Sequence, residues 1–565
     1  MEAVTNTTAA RVLAVRPVGT TAVLAELSGL HDVLALQALL LEQPLPGQVD
    51  VLAAAETVMV KADSPAAARR MAALLLEKDL AFQSHAEGKL VTIETVYDGE
   101  DLAEVGRLTG LGIEGVVAAH TGQVWTVAFG GFAPGFGYMV GENQVLEVPR
   151  RSSPRTAVPA GSVALAGNYS AVYPRQSPGG WQLIGRTAAR MWDLGREQPA
   201  LAAPGDRVRF RAVRELVDIP DQAPGTREAP APEAAVQEAG SGLRILSPGL
   251  QSLVQDLGRP GLAGLGVSSA GALDRASLRR ANRIVGNQPS AAVVESVAGG
   301  LRVQAVGDQV LAVAGAPSAL TVVTPSDVPD PGDAEAVGDQ SENVREVPMA
   351  TAFALLDGEI LTVGAPQRGF RTYLAVRGGV DTEPVLGSRS TDTMSGIGPE
   401  ALAAGGFIRA GKATSSNVVG NPEVQPDFPG PGVTVLDIVP GPRDDWFDAD
   451  ALDLLCSQDW TVTPRSNRVG MRLDGKPLER SRKGELASEG TVAGALQVPP
   501  EGQPVLFLAD HPITGGYPVV AVVVDHQLDV AAQVPLGGRI RFRWAPGYKL
   551  PTNYSRPSPD ATQTK

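Results

Sequence analysis

The residues best suited to acid and base chemistry are Asp510 and His511, which stand together in FLADHPITGGYP just before a glycine turn. Histidine titrates near neutral pH and a carboxylate can orient it, so we predict that the pair transfers a proton or contacts a metal–nucleotide complex. Neighbouring residues of a strand point to opposite faces, however, so the two side chains need not act together. His120, which precedes the strand-like GQVWTVAF, is a third catalytic candidate, with a structural role as its alternative.

Three arginines are predicted to bind anionic groups of a substrate. Arg155 lies in PRRSSPRTAVPAGS, where several guanidinium groups gather among turn residues, and Arg175 and Arg186 follow in YPRQSPGGWQLIGRT. A guanidinium group binds a carboxylate or phosphate through two parallel hydrogen bonds. The alternative is a solvated loop in which acidic side chains neutralise the arginines.

The segment FGGFAPGFGYMVG, residues 129–141, concentrates aromatic side chains among glycines. We interpret Phe132, Pro134 and Phe136 as the wall of a small-molecule cleft, because glycines let backbone amides approach a ligand and aromatic rings exclude water. A packed turn is the plainer alternative. Tyr517, in the later Gly-Gly-Tyr turn, is also predicted to contact substrate.

Other motifs are weaker. GLGIEG at 110–115 follows the helical pattern DLAEVGRLT and not a strand, which argues against a dinucleotide site. GFIRAGKA at 406–413 has Ala413 where a P-loop needs a hydroxyl, and MVKAD at 59–63 does not match a biotin-bearing hairpin. The five histidines are scattered, and we predict no metal site.

Composition bounds the rest. A chain of 565 residues predicts three or four domains, and 64 glycines with 45 prolines favour short strands joined by turns. A net charge of −14 argues against nucleic acid as a partner. No apolar run approaches the roughly 20 residues of a membrane span, and a single cysteine fits a reducing compartment, so we predict a cytoplasmic protein without a membrane partner.

The pattern along the chain predicts an α+β domain at 1–90, a β domain at 91–217, a linker at 218–242, a second β-rich region at 243–545 and a flexible tail at 546–565. An acidic surface loop is expected at 325–346. Helices are predicted after Ser64, as N-cap, and over 273–287, where Leu278, Ala281 and Val285 share a face and Gly286 can end the helix.

An internal repeat divides the chain into two related halves. VPAGSVALAG, SPGGWQLIG and PGDRVRF at 158–210 recur in order as TVAGALQV, ITGGYPVVAVVVD and LGGRIRF at 491–542. Three matches at similar spacing predict two copies of one β module.

These segments also resemble a known family. GGFAPGFGYM, PRTAVPAGSVALAG and YPRQSPGGWQLIGRT are similar to the B subunit of bacterial 5-oxoprolinase, also called kinase-A-inhibitor-like or allophanate hydrolase subunit one. A second group of segments is similar to the C subunit of the same enzyme. These segments are GLQSLVQDLGRPGLAGLGVSSAGALDRASLRRANRIVGN, YLAVRGGV, VLGSRSTDT, SNRVGMRLDG and ADHPITGGYPVVAVV. The chain therefore looks like a B–C fusion.

The resemblance implies a mostly β fold with α+β parts, in which cyclophilin-like β-barrels form two related halves beside a small N-terminal α+β domain. It implies ATP-dependent opening of 5-oxoproline to glutamate, with ATP and Mg²⁺ and a separate A-type subunit as partner; a homo-oligomer is compatible with it. One alternative is the carboxyltransferase module of a biotin-dependent urea or amide carboxylase. Another is a regulatory protein that inhibits a sensor histidine kinase. Ile513 and Leu262 depart from residues common in the family, which bears on substrate specificity.

Overall fold

The fold is known from a computed structural model that describes residues 11–80, 88–216, 240–325, 343–413, 417–484 and 486–548. The predicted linker lies outside these residues except for 240–242, and the predicted tail except for 546–548. The acidic loop was predicted to reach residue 346, which is wrong at its end, since a strand begins at Asn343 and pairs antiparallel with the strand Leu320–Thr324.

The N-terminal module is a four-stranded antiparallel sheet covered on one face by two helices. Its strand order is β1-β2-β4-β3. The strands and helices are β1 Ala14–Val18, β2 Ala22–Glu26, α1 Leu30–Glu42, β3 Gln48–Ala53, β4 Thr57–Ala62 and α2 Pro65–Leu76. The predicted start of α2 is confirmed, because the backbone N–H of Ala67 donates to Ser64 Oγ over 3.3 Å and Pro65 occupies the first turn.

A seven-stranded sheet follows, which we call the first barrel. Its strands run in the order β12-β9-β10-β7-β6-β13-β5, and a bridge between Val96 and Arg186 joins the two outer strands. The elements are β5 Leu90–Thr95, α3 Leu102–Thr109, α4 Gly112–Thr121, β6 Trp125–Gly130, β7 Gly137–Gly141, β8 Arg155–Val158, β9 Ser162–Ala166, β10 Tyr169–Val172, β11 Ser177–Gly179, β12 Gln182–Arg186 and β13 Arg207–Ala212.

Residues 242–410 form a two-sheet module with its own core of aliphatic side chains. One sheet has six strands and the other five. The elements are β14 Gly242–Pro248, β15 Gln251–Gln255, a short 3-10 helix Ala263–Leu265, α5 Arg275–Val285, β16 Val293–Val297, β17 Leu301–Val306, β18 Gln309–Gly315, β19 Leu320–Thr324, β20 Asn343–Val347, β21 Phe353–Leu355, β22 Ile360–Val363, β23 Arg371–Val376 and β24 Phe407–Arg409. Helix α5 confirms the prediction, since Leu278, Ala281 and Val285 are fully buried and Gly286 ends it at φ 75°.

The chain closes with a second barrel of seven strands, which is a closed ring. The elements are β25 Val433–Pro440, a 3-10 helix Asp444–Trp446, α6 Ala449–Ser457, β26 Trp460–Val462, β27 Gly470–Asp474, β28 Glu489–Gly490, β29 Ala495–Gln497, β30 Val505–Phe507, β31 Thr514–Gly515, β32 Val519–Val523, a 3-10 helix Asp525–Gln527, α7 Leu528–Ala531 and β33 Arg539–Trp544.

The two barrels have the same topology, which confirms the predicted repeat. Around the ring, the order β5-β13-β6-β7-β10-β9-β12 matches the order β25-β33-β26-β27-β30-β29-β32. In each barrel, the strand that comes first along the chain pairs in parallel with the strand that comes last: β5 with β13, and β25 with β33. The likeness extends to single bonds. The indole N–H of Trp125 donates to the carbonyl five residues earlier, at His120, and that of Trp460 does so at Leu455.

The N-terminal sheet packs its second face on the second barrel. Val18, Leu24 and Met59 share a core with barrel residues such as Val522 and Ile513. Gly19 has φ 67°, and a Cβ there would lie 2.9 Å from Val522 Cγ1, so the β1–β2 turn needs glycine at this contact. Among the described residues, no helix is both long and apolar enough to cross a bilayer.

Candidate functional site

A cavity of about 260 Å³ lies where the N-terminal module, the two-sheet module and the second barrel meet. Its walls come from three stretches: the β1–β2 turn with Lys61, the loop between β15 and α5, and the second barrel around His511. A smaller cavity of about 40 Å³ adjoins it and shares Lys61, Ser269 and His511. Residues from both predicted halves therefore build one site.

His511 is the imidazole of this site. It follows β30, stacks on Phe507 with ring centroids 5.8 Å apart, and lines both cavities. Its Nδ1 lies 2.9 Å from the carbonyl oxygen of Pro512, which can only accept, so Nδ1 carries the proton and Nε2 is the acceptor. Burial lowers the pKa of His511 to about 4. The side chain is therefore a neutral base at pH 7.

Lys61 is the cation of the site. It lies in β4 between Ala22 of β2 and Asp50 of β3, and it is half-buried. Among the described residues, its ammonium group makes no hydrogen bond and no ion pair within 4 Å. Burial lowers the pKa of Lys61 and the positive charge of Arg275 adds to this, while Asp50 and Asp525 oppose it. Lys61 thus brings a partly desolvated ammonium group to the wall of the cavity.

The loop between β15 and α5 forms another wall of the cavity. Asp50 of the N-terminal sheet holds it, because its Oδ2 accepts the backbone N–H groups of Gly261 over 3.1 Å and of Ala263 over 3.2 Å. Ala270 in the wall has φ 49°, an unusual value for alanine. Gly258 crosses this stretch so closely that a Cβ would lie 2.3 Å from Ser269 O. The close backbone contact and the two bonds to Asp50 therefore fix the conformation of this loop.

A buried network of charges fixes the same wall from behind. Arg468 binds the carboxylate of Asp510 through Nε and Nη2, both at 3.0 Å, and donates to Glu295 and to the Gly271 carbonyl. Burial alone would raise the pKa of Glu295, but Arg468 and Arg371 hold it below its usual value. Asp510 is fully buried here and does not line the cavity.

The network continues into the wall itself. Glu295 Oε2 accepts the N–H of Leu273 over 3.0 Å and the hydroxyl of Tyr373 over 2.8 Å. That hydroxyl accepts the N–H of Asp274 over 2.8 Å. Since Leu273 lines the cavity, the buried charges determine where its wall lies. Asp510 and His511 thus have different surroundings, as adjacent residues of opposite orientation should.

Arg275 and Asp525 stand together at the cavity and form an ion pair with an Nη2–Oδ2 distance of 3.3 Å. Arg275 also pairs with Asp529 over 3.6 Å. These two ion pairs join the start of α5 to the second barrel.

His120 lies elsewhere, fully buried in the first barrel. Its Nδ1 is 2.7 Å from the hydroxyl of Tyr97, its Nε2 is 2.9 Å from Ser170 Oγ, and its ring packs on Trp125 and Phe210. Burial lowers the pKa of His120 to about 3. Both nitrogens are occupied and the residue lines neither cavity.

The aromatic segment forms the turn between β6 and β7. Phe136 is 1 % exposed and packs against Phe132, Tyr138, Tyr173 and Trp181 at centroid distances of 4.8–5.5 Å. Phe136 lines only a space of about 10 Å³, and neither Phe132 nor Pro134 lines the main cavity. The structure thus places these aromatics in a packed turn, the plainer of the two interpretations.

The predicted arginines have separate environments. Arg155 binds Asp101 and Glu100, each over 2.9 Å, and Arg186 pairs with Asp98 at the surface over 2.8 Å. Arg175 is half-buried, and its Nε makes no hydrogen bond to any residue that the structure describes. Tyr517 is 45 % exposed and lines neither cavity. Of the residues predicted for the site, His511 alone lines the cavity of about 260 Å³.

Lys61 was not among the residues predicted from the sequence. Its signal is a lone lysine inside the apolar strand TVMVKA, which was considered only as a biotin carrier and set aside. A charged side chain in such a strand must reach solvent, a partner or a cavity, and the last of these explains Lys61.

Two family models match the chain: "Carboxyltransferase domain, subdomain C and D" at residues 13–202 and "Carboxyltransferase domain, subdomain A and B" at 265–544. The chain is 36 % identical over 303 residues to the C subunit of 5-oxoprolinase from Escherichia coli strain K12, a match that covers 53 % of this chain and 90 % of that protein. It is 44 % identical over 134 residues to the B subunit of 5-oxoprolinase from Escherichia coli O157:H7, which covers 23 % of this chain and 62 % of that protein.

Among solved structures, the crystal structure of TTHA0988 in space group P212121 superposes with a TM-score of 0.76 at 34 % identity. The match covers 91 % of this chain and 97 % of that one. One solved chain therefore matches nearly the whole of this chain. The two 5-oxoprolinase subunits match 53 % and 23 % of it.

Proposed function

The chain belongs to the carboxyltransferase-domain family that includes the C subunit of 5-oxoprolinase, and on this basis we propose that it supplies the B and C parts of an ATP-dependent 5-oxoprolinase. In this proposal it is a natural fusion of the two subunits. It acts with a separate A-type subunit to convert 5-oxo-L-proline and water to L-glutamate, while ATP and water become ADP and phosphate.

One observation carries the proposal. The cavity that holds Lys61 and His511 is shared, with Lys61 in the part that matches carboxyltransferase subdomains C and D and His511 in the part that matches subdomains A and B. Neither part encloses the cavity alone, which fits a function that needs both parts. A volume of about 260 Å³ suits a small molecule and not a polymer.

The residues present suit attack on a cyclic amide. The lactam carbonyl gains negative charge when a nucleophile adds to it, and the Lys61 ammonium group would stabilise that charge in a partly desolvated site. His511 Nε2 would accept a proton from the attacking water molecule, since the imidazole is neutral at pH 7. The Arg275–Asp525 ion pair would hold the two-sheet module against the second barrel. The bond from Gly261 to Asp50 would hold the same module against the N-terminal sheet, so that the substrate is enclosed.

ATP would activate the lactam, and transfer of its terminal phosphoryl group to the amide oxygen is one route. Among the described residues, no group of three or more His, Cys, Asp or Glu side chains could hold a metal ion. We therefore derive no step through a metal–nucleotide complex held by this chain and limit the proposal to substrate binding and proton transfer.

Glutamate release from 5-oxo-L-proline tests the proposal. The purified chain is assayed with ATP, with and without its A-type subunit, and ADP and glutamate are measured together. We expect both products in equal amounts when the partner is present. His511→Asn and Lys61→Met should reduce the rate, whereas His31→Asn and Lys483→Met, at exposed positions, should not.

Two outcomes would replace the proposal. Activity that requires a biotin carrier and bicarbonate would identify a carboxyltransferase, which the family description also allows. A protein that releases no glutamate with any partner, but binds a sensor histidine kinase tightly, would identify a regulator.

A further inference from the structure

The hydroxyl of Thr491 lies beside the imidazole of His511, with Oγ1 3.2 Å from Nδ1. Both residues line the smaller cavity, and Thr491 is 4 % exposed. Thr491 follows β28, and its backbone N–H donates to the Ile513 carbonyl over 2.9 Å. Because that bond ties Thr491 to the turn that carries His511, the backbone holds the hydroxyl at a defined place next to the ring.

The hydrogen bonds of this hydroxyl fix its direction. It donates its one hydrogen to the Pro512 carbonyl, so towards any other group its oxygen can only accept. His511 Nδ1 lies 2.9 Å from the same carbonyl oxygen. The Nδ1–H group of His511 therefore has two acceptors, the Thr491 hydroxyl and the Pro512 carbonyl, which are bonded to each other. Within the described residues, every hydrogen bond of the His511 ring is made by Nδ1.

Stacking alone does not set which edge of the His511 ring faces these acceptors. Phe507 packs on the ring with centroids 5.8 Å apart and an angle of 12° between the planes. A half-turn of the imidazole about its Cβ–Cγ bond keeps that stacking but exchanges the two edges of the ring. In the exchanged orientation, a carbon would face the Thr491 hydroxyl and both bonds of Nδ1 would be lost. The hydroxyl and the carbonyl therefore select one edge.

The internal repeat shows that the barrel itself does not need this hydroxyl. Thr491 stands three residues before Gly494, as Val158 stands three residues before Gly161 in the first barrel. Both glycines occupy equivalent places, since the N–H of each donates to the neighbouring strand over 2.8 Å. Val158 is fully buried, and the turn that follows it contains no histidine. A β-branched apolar side chain thus fills this position where there is no imidazole to orient.

We propose that Thr491 is a positioning residue for His511, whose hydroxyl holds the proton on Nδ1 and leaves Nε2 as the acceptor that serves the cavity. The proposal deepens the function proposed above and rests on it only for the effect on turnover. The orientation and the tautomer of the imidazole are properties of the free protein and are measured without substrate.

Nuclear magnetic resonance of the full chain labelled with ¹⁵N-histidine tests the tautomer. The chain has five histidines, and the signals that disappear in His511→Asn identify His511. In wild type we expect a protonated Nδ1 and an unprotonated Nε2. In Thr491→Val the two nitrogen shifts should move towards each other as a second tautomer becomes populated, whereas Thr491→Ser should keep the wild-type shifts. Thr461→Val, at a half-buried position of β26 that lines neither cavity, is the matched control and should also keep them.

Glutamate release with the A-type subunit gives the second readout. Thr491→Val should lower kcat about tenfold, the effect of losing one hydrogen bond, and leave KM within about twofold of wild type. Thr491→Ser should restore most of kcat, and Thr461→Val should equal wild type. If Thr491→Val does not fold, Thr491→Ala takes its place with the same expectations.

Three results would overturn the proposal. These are a protonated Nε2 in wild type, the wild-type tautomer in Thr491→Val, and a mixed tautomer in Thr491→Val with wild-type kcat. If the wild-type chain releases no glutamate with its partner, the 5-oxoprolinase proposal fails, while the ¹⁵N shifts still decide whether Thr491 positions His511.

Discussion

Lys61 of β4 and His511 beyond β30 line the same two adjoining cavities, although they belong to opposite halves of the chain. Burial acts on the two groups in complementary ways. It holds His511 neutral and able to accept a proton, and it lowers the pKa of the Lys61 ammonium, which Asp50 and Asp525 help to keep charged. A base and a cation that face one small space are the elements needed for attack on an amide carbonyl.

His511→Asn should lower kcat by about 10²-fold or more, because the variant lacks a proton acceptor while its amide can still donate to the Pro512 carbonyl. The measurement is steady-state glutamate release with the A-type subunit present. The melting temperature should stay within a few degrees of wild type. Equal activity in His511→Asn and in the exposed control His31→Asn would remove His511 from the reaction.

Lys61→Arg should retain activity and change its pH dependence. The pKa of Lys61 is lowered, so the wild-type rate should fall as pH rises through that value and the cation is lost. Arginine stays protonated at those pH values, and the alkaline limb of the variant should move to higher pH. The pH profile of kcat checks this. Lys61→Met should lose most activity at every pH, and an unchanged alkaline limb in Lys61→Arg would assign the limb to another group.

Arg468→Met should destabilise the protein by about 3–5 kcal/mol, because Asp510 and Glu295 would stay buried without their counter-charge. The wall around Leu273 should loosen at the same time. Thermal unfolding gives the stability. Arg186→Met removes an exposed pair with Asp98 and should cost less than about 1 kcal/mol. Similar losses in the two variants would show that the buried network does not hold the wall.

His120 should make the protein sensitive to acid. Its folded pKa of about 3 lies below the ordinary value, so the proton binds better to the unfolded chain. Its contribution to stability is complete above about pH 6.5 and is lost as pH falls toward 3, by about 2 kcal/mol between pH 7 and 5.

His120→Gln should therefore show a smaller drop in melting temperature between pH 7 and 5 than wild type, although it is less stable at pH 7. His31→Gln, at a side chain that is 92 % exposed, should follow the wild-type curve. An equal pH dependence in His120→Gln would mean that His120 is not held neutral in the fold.

The sequence predicted those features that depend on local or repeated patterns. The start of α2 follows from Ser64 and Pro65, and the end of α5 from Gly286, since each residue acts on its own turn. The twin barrels follow from a repeat that includes the closing R-[VI]-R-F strand, because that strand must pair in parallel with the first strand of each module.

The site was harder to predict because it forms between modules. Nothing near Lys61 in sequence indicates that β4 packs on the second barrel, and the cavity exists only through that contact. The aromatic segment misled for a related reason. Its aromatic rings pack against one another inside the first barrel. The sequence alone does not distinguish such a packed cluster from the wall of a ligand site.

The central claim is that Lys61 and His511 contact one ligand in one shared cavity. Calorimetric titration of the full chain with 5-oxo-L-proline, in wild type, Lys61→Met, His511→Asn and the double variant, tests this most directly. We predict a single site in wild type, weaker binding in each single variant, and a double variant whose loss is smaller than the sum of the two. Wild-type affinity in either single variant, or losses that add without coupling, would contradict the claim.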